Sequence, residues 1–293
     1  MNKESAASLI AQVISNLEKL LEPDGFSVSL SRVEKLTSSY DSVQFFKEAE
    51  KWGFNIPRDT LISLYEKENQ SPEEIAAGLA EFARNQKFRA NAETFMDFDG
   101  IRSSLFIRLS DTERSRQVLE HVPHKEIDGL SVTAHILVPA EDCFASSIVT
   151  GTLLEKYGIS EEELFDAAMQ NSARILPAEI RPLSDVIGCG SLSPTGKGIV
   201  VTNTRKVNGA SAILYPGILE QLSDMVQEDF YIFPSSIHEM IVFPYSAMSS
   251  EKAACRILHD ANRCAVSEED WLSDTLYMYS REAGRIRRVA ETE

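Results

Sequence analysis

The first apolar pattern in the chain is helical. Leu9, Ile10, Val13, Ile14, Leu17, Leu20 and Leu21 recur at three- and four-residue spacing, which predicts an amphipathic helix. Pro23-Asp24-Gly25 turns the chain, and Phe26-Ser-Val28-Ser-Leu30 alternates as a strand with one buried face does. A second strand is expected around residues 43–46. Ser71-Pro72-Glu73-Glu74 then combines an N-cap, a first-turn proline and a third-position glutamate, so a helix starts there with Ile75, Leu79, Phe82 and Ala83 on its apolar face.

Downstream, residues 98–109 and 113–119 read as helices, Pro123 interrupts, and 130–138 is strand-like. Ser160 to Glu163 is another capping box, ahead of Leu164, Phe165, Ala168 and Met169. The Gly-, Ser- and Pro-rich stretch 187–198 reads as a loop. Short β-type runs follow at 199–202, 210–214, 230–233 and 240–243, with helices at 218–226 and 250–263 and a final strand at 276–279. Pro234-Ser235-Ser236 between two of these runs favours an antiparallel hairpin over βαβ units. The expected fold class is therefore α+β. Residues 1–90 form a small N-terminal α/β lobe, and 91–293 a larger part with a mostly antiparallel sheet covered by helices. One continuous domain is the alternative.

Charge narrows the function classes. The chain has 293 residues and a net charge of −16, and residues 90–187 alone carry 17 acidic against 8 basic side chains. No segment is basic on balance, so broad nucleic-acid binding and attachment to anionic membranes are disfavoured. No apolar run approaches the roughly 20 residues of a membrane span. Glu4, Gln12, Ser15 and Asn16 break the N-terminal apolar stretch, which therefore does not read as a signal peptide. Cys143, Cys189, Cys255 and Cys264 contain no C-x-x-C pair, so a reducing cytoplasm is the simplest setting. No cofactor fingerprint is present, and the oligomeric state is left open.

Several groups carry candidate chemistry. Ser235 or Ser236 with His238 and Glu239 offers a nucleophile, a base and an orienting acid. A zincin would need a second histidine and a helix, but Met240-Ile241-Val242-Phe243 follows His238-Glu239 and reads as a strand. On a regular strand, adjacent His238 and Glu239 would point to opposite faces, and a plain hairpin turn explains both serines. His121 and His124 are the candidate metal ligands, with His135 a possible third; the simpler reading is a helix-to-strand connection. Gly188-Cys-Gly190 with Gly196-Lys197-Gly198 departs from a phosphate loop because Ser191 stands at the first glycine and Gly198 at the Ser/Thr. Asp97 with Asp99, and Glu161 to Glu163, are carboxylate clusters, the latter suited to a helix first turn. Arg281, Arg285, Arg287 and Arg288 read as a solvated tail. Tyr215, Phe230, Tyr231, Phe233, Phe243 and Tyr245 track the expected sheet, with packing as the default role.

A set of segments in order carries a family likeness. These are residues 155–171, Leu176-Pro177, Val201-Thr-Asn203, Ala210-Ser-Ala-Ile-Leu-Tyr-Pro216, Phe233-Pro-Ser-Ser-Ile-His-Glu239, and Trp271-Leu-Ser-Asp274 with Tyr277 and Tyr279. Together they resemble an uncharacterised domain-of-unknown-function family found mainly in gut Firmicutes. More distantly, the chain is similar to the YtpQ-like uncharacterised family, where Gln-Asp stands in place of His238-Glu239. The resemblance implies an architecture and no activity.

Three functions stay in view. The leading expectation is a non-enzymatic cytoplasmic accessory protein whose partner is another protein, with an exposed apolar patch near residues 230–243. The second is a hydrolase-like or metal-dependent enzyme built on the Ser235/Ser236/His238/Glu239 hairpin. The third is an acidic mimic of nucleic acid that inhibits a basic protein, which requires a continuous acidic stripe.

Overall fold

The amphipathic pattern at the N-terminus becomes α1 (Lys3–Leu21) in a computed structural model that describes residues 3–34, 39–49, 52–85, 97–138, 145–187 and 198–289. Strands β1 (Phe26–Glu34), β2 (Ser39–Lys47) and β3 (Trp52–Pro57) form an antiparallel sheet in that order. Helices α2 (Arg58–Lys67) and α3 (Pro72–Asn85) complete the first unit. Its core joins Val13, Leu17 and Leu21 of α1 to Val28, Val43 and Phe45 of the sheet and to Leu61 and Ile75. The capping box at α3 forms as its residues require: the Glu74 N–H donates to Ser71 Oγ at 3.2 Å, and the Ser71 N–H donates to Glu74 Oε2 at 2.8 Å. Sequence periodicity did not reveal β3 and α2.

A second compact unit begins at Asp97. Its first part runs α4 (Phe98–Arg102), β4 (Leu105–Asp111), α5 (Thr112–Leu119), β5 (His124–Ile127), β6 (Leu130–Val138) and β7 (Ala145–Ile148). β6 is central, pairing antiparallel with β4 on one side and with β5 and β7 on the other. α6 (Gly151–Tyr157) and α7 (Glu161–Ile175) follow, and the Ser172 hydroxyl of α7 accepts the Ile107 N–H at 2.9 Å. The second part holds β8 (Ala178–Pro182), α8 (Leu183–Ile187), β9 (Ile199–Asn203), α9 (Ile218–Val226), β10 (Phe230–Phe233) and β11 (Met240–Pro244). It ends with α10 (Glu251–Ala265), β12 (Tyr277–Ser280) and β13 (Arg285–Arg288). These strands make one antiparallel sheet ordered β13-β12-β10-β11-β9-β8. Helices and antiparallel sheets in both units make the fold α+β.

Three expectations are corrected. Residues 98–109 are not one helix: α4 stops at Arg102 and β4 begins at Leu105. Residues 210–214 form a 3₁₀ turn (Gly209–Leu214), not a strand. There Gly209 lies so close to the His238 carbonyl and Asn203 N–H that an added Cβ would overlap them. Residues 276–279 are not the last strand, because Arg285, Arg287 and Arg288 lie in β13. Arg285, Arg287 and Arg288 are thus solvent-exposed, as expected, but on an edge strand rather than a tail, and Arg281 sits in the turn before it. Arg287 pairs with Glu251 at 3.1 Å, and Arg281 donates to the Gln227 carbonyl at 2.8 Å.

Candidate functional site

The hairpin between β10 and β11 forms as the turn residues predict, with Phe233 opposite Ile241. Pro234 to Glu239 leave the ladder, so His238 and Glu239 are not on a regular strand. A second chain segment holds the loop. The Ile237 N–H donates to the Asp270 carbonyl (2.7 Å), the Leu272 N–H to Ser235 O (3.1 Å) and the Ser273 N–H to Pro234 O (2.9 Å). From the other side, Thr202 Oγ1 donates to His238 O at 2.7 Å, and the Ala210 N–H donates to Ile237 O at 3.1 Å.

This scaffold brings Ser236, His238, Glu239 and Asp270 together. His238 Nε2 lies 3.0 Å from Asp270 Oδ1, and Nδ1 receives the Asn208 N–H at 3.2 Å. A nitrogen that accepts an amide N–H carries no proton. The neutral ring is therefore the Nε2–H tautomer, donating to Asp270. Asp270 is fixed in turn by Ser267, whose hydroxyl donates to Oδ2 at 2.8 Å and accepts the Asp270 N–H at 3.2 Å. Ser236 Oγ accepts the His238 backbone N–H at 3.0 Å and helps to hold the Glu239 carboxyl ionised. Burial pushes the Glu239 pKa up; His238 opposes that rise, and Asp270 adds to it. Ser235 is buried beside them.

The residue types are those of a nucleophile, base and acid, but the wiring differs. A triad needs one imidazole nitrogen facing the nucleophilic hydroxyl. Here one nitrogen takes a backbone amide, the other serves the carboxylate, and the serine oxygen takes the His238 backbone N–H rather than facing the ring. Asp270 was not among the residues singled out from the sequence. Its signal was Ser267-Glu-Glu-Asp270, a serine followed three residues later by an acid, which marks a reciprocal local bond.

The other candidates separate. His121 is exposed after α5, while His124 opens β5 and donates Nδ1–H to Val122 O at 2.9 Å. His135 is buried on β6 with Nε2 3.1 Å from Thr133 Oγ1, and burial holds its pKa well below the usual histidine range. Among the described residues, no three of His, Cys, Asp and Glu gather where they could hold a metal ion. Asp97 caps α4 by accepting the Gly100 N–H at 2.8 Å, and Glu161 to Glu163 occupy the first turn of α7. Gly188 to Lys197 of the suspected phosphate loop lie outside the described residues.

The expected apolar patch at residues 230–243 is absent among the described residues. Phe230, Tyr231, Phe233, Met240 and Phe243 are buried, as is Tyr215, and only Tyr245 just beyond the hairpin is exposed. A void of about 20 Å³ between the two sheets, lined by Leu109, Leu130, Ile232 and Tyr277 among others, is too small for a ligand. A surface cleft beside the hairpin clamp is lined by Arg114, Asn262, Val266, Glu268 and Trp271, with the Arg114 guanidinium 4.4 Å over the Trp271 ring. No described helix is long and apolar enough to cross a membrane.

No curated protein and no solved structure matches the chain. A family model does match, over residues 7–281, which is nearly the whole length. The chain belongs to DUF5688, a family of unknown function.

Proposed function

We propose that this protein acts by binding rather than by catalysis, with another protein as its partner. The observation behind the reading is the commitment of both His238 ring nitrogens, to the Asn208 amide and to the Asp270 carboxylate. Such a histidine clamps the 234–239 loop to the 267–273 segment and has no lone pair left for a serine. A surface for a protein partner is offered by β1, which among the described strands pairs only with β2. This strand is nine residues long, carries no proline, and exposes Leu30 at 57%. A strand edge of that kind accepts a further strand through its backbone groups. A cytoplasmic setting belongs to the same reading and rests on the acidic balance and the cysteine spacing.

The test has two arms. The intact protein is expected to hydrolyse an activated ester such as p-nitrophenyl acetate no faster than Ser236→Ala or His238→Asn. A photo-crosslinking residue at position 30 is expected to give a discrete adduct with one other protein. Ester turnover abolished by both substitutions would overturn the reading. It would favour the alternative, an enzyme that uses Ser236, His238 and Glu239 with Asp270, to which the convergence of those four side chains lends support.

A further inference from the structure

The sheet β4-β6-β5 has two faces of unlike chemistry. Side chains directly opposite on paired strands share a face, so the register sorts them. Leu105, Ile107 and Leu109 with Val132, Ala134 and Ile136 make the apolar face. The opposite face is a polar array, buried at Ser110, Ser131, Thr133 and His135 and opening toward β5. Its central row runs Arg108, Thr133, His124 across the three strands. One flanking row holds Phe106 and His135, and the other holds Ser110, Ser131 and Glu126. α5 is anchored over this face by Thr112 Oγ1, 2.8 Å from Ser131 Oγ, and buried Ser115 follows one turn later on the same side of the helix.

Several polar atoms on this face have no partner among the described residues. Arg108 Nε, His135 Nδ1, Ser110 Oγ and Ser115 Oγ are sealed from solvent and have no hydrogen-bond partner. Among the described residues Arg108 forms no ion pair. Its guanidinium is charged at neutral pH although burial lowers its pKa to about 10, and its charge helps burial to keep the neighbouring His135 ring neutral. Asp111, at the end of β4, is engaged in capping α5 through the Arg114 N–H. Glu126 stands two strands away and is exposed. Arg108 as a whole is only partly buried, yet a largely desolvated guanidinium is ordinarily paired, because stripping water from its charge is expensive. Hydroxyls beside such a group can turn to donate or accept, which suits them to a ligand's oxygens.

We propose that this polar face is a binding site for a small oxyanion, the phosphate or carboxylate group of a small molecule. Arg108 supplies the countercharge, and Ser110, Thr133 and His135 supply the neighbouring hydrogen bonds. The planar fork of N–H groups on Arg108 matches two oxygens of either anion. The site belongs to the second unit and shares no residue with β1 or with the His238 clamp, so it stands independently of the partner reading.

The experiment titrates the full chain with inorganic phosphate, with succinate, and with chloride at matched ionic strength as the control for screening. Binding is read by calorimetry and by the ¹⁵Nε resonance of Arg108. Phosphate or succinate should bind and shift that resonance where chloride does neither. Binding by phosphate alone assigns a phosphoryl ligand, and binding by succinate alone assigns a carboxylate. Arg108→Met should weaken binding by more than about tenfold while leaving the ligand-free protein at least as stable as the wild type. Thr133→Val, which keeps the shape and removes one hydroxyl, should weaken it by several-fold and serves if Arg108→Met does not fold. Failure of both anions to exceed chloride would overturn the proposal, as would wild-type affinity in a folded Arg108→Met or, failing that, in Thr133→Val.

Discussion

Replacing Asp270 by alanine removes the acceptor that both His238 and Ser267 use. The bonds to His238 and Ser267, at 3.0 Å and 2.8 Å, are among those lost. Each is taken at about 1 kcal/mol, below the roughly 1.5–3 kcal/mol of a bond to a charged group, because the Asp270 side chain is 45% exposed and water replaces part of what is lost. The expected cost is about 2 kcal/mol. For a unit of this size that corresponds to a fall of about 4–8 °C in its unfolding midpoint. Trp271 adjoins the site, and the other tryptophan, Trp52, belongs to the first unit, so a Trp52→Phe background makes fluorescence report the second unit alone. In a His238→Ala background, Asp270→Ala should cost only the Ser267 bond, leaving a coupling energy of about 1 kcal/mol. A loss below about 0.5 kcal/mol, or strict additivity of the two substitutions, would refute the clamp.

Glu239 has a folded-state pKa above the ordinary 4.5, so the folded protein holds its proton to higher pH than the unfolded chain. Stability from this group therefore falls as pH rises from about 4.5 through the raised value, and Glu239→Gln should be more stable than wild type at pH 7 but not below pH 4.5. Equal pH profiles for the two proteins would contradict that assignment. Gly209→Ala places a Cβ against the His238 carbonyl and Asn203 amide and should cost about 1–3 kcal/mol in denaturant unfolding of the second unit. Leu61→Ala empties a fully buried position in the first unit and should lower stability by about 2–5 kcal/mol, seen in the unfolding of that unit. Ser71→Ala removes the N-cap of α3 and should cost about 1 kcal/mol by the same measurement.

Local chemistry was the legible part of the sequence. Ser71, Ser160 and Ser250 each receive the N–H three residues on, because a cap needs nothing beyond its own turn. The strand at residues 130–138 and the hairpin around Pro234-Ser-Ser were readable for the same reason. Residues 98–109 misled because Ile101, Leu105, Phe106 and Leu109 suit a helical face as well as they suit a buried strand. In that helix Arg108 would be an ordinary exposed cation. Only pairing with β6 places it on the polar face of a sheet, which is a long-range fact. The turn at Gly209–Leu214 was mistaken for a strand because it is buried almost throughout, so apolarity carried no period. Ser236, His238 and Glu239 could be named from the hairpin, but Asp270 lies 32 residues from His238, and Asn208 acts through its backbone amide, which no side-chain pattern encodes.

The wiring of His238 is tested most directly by the imidazole ¹⁵N spectrum of the intact protein at neutral pH. The account predicts a neutral Nε2–H ring whose unprotonated Nδ1 is coupled by hydrogen bonding to the Asn208 amide, with the Nε2 proton lost from its bonded position in Asp270→Ala. An Nδ1–H ring with a bare Nε2, unaffected by Asp270→Ala, would contradict it and return His238 to the role of a base.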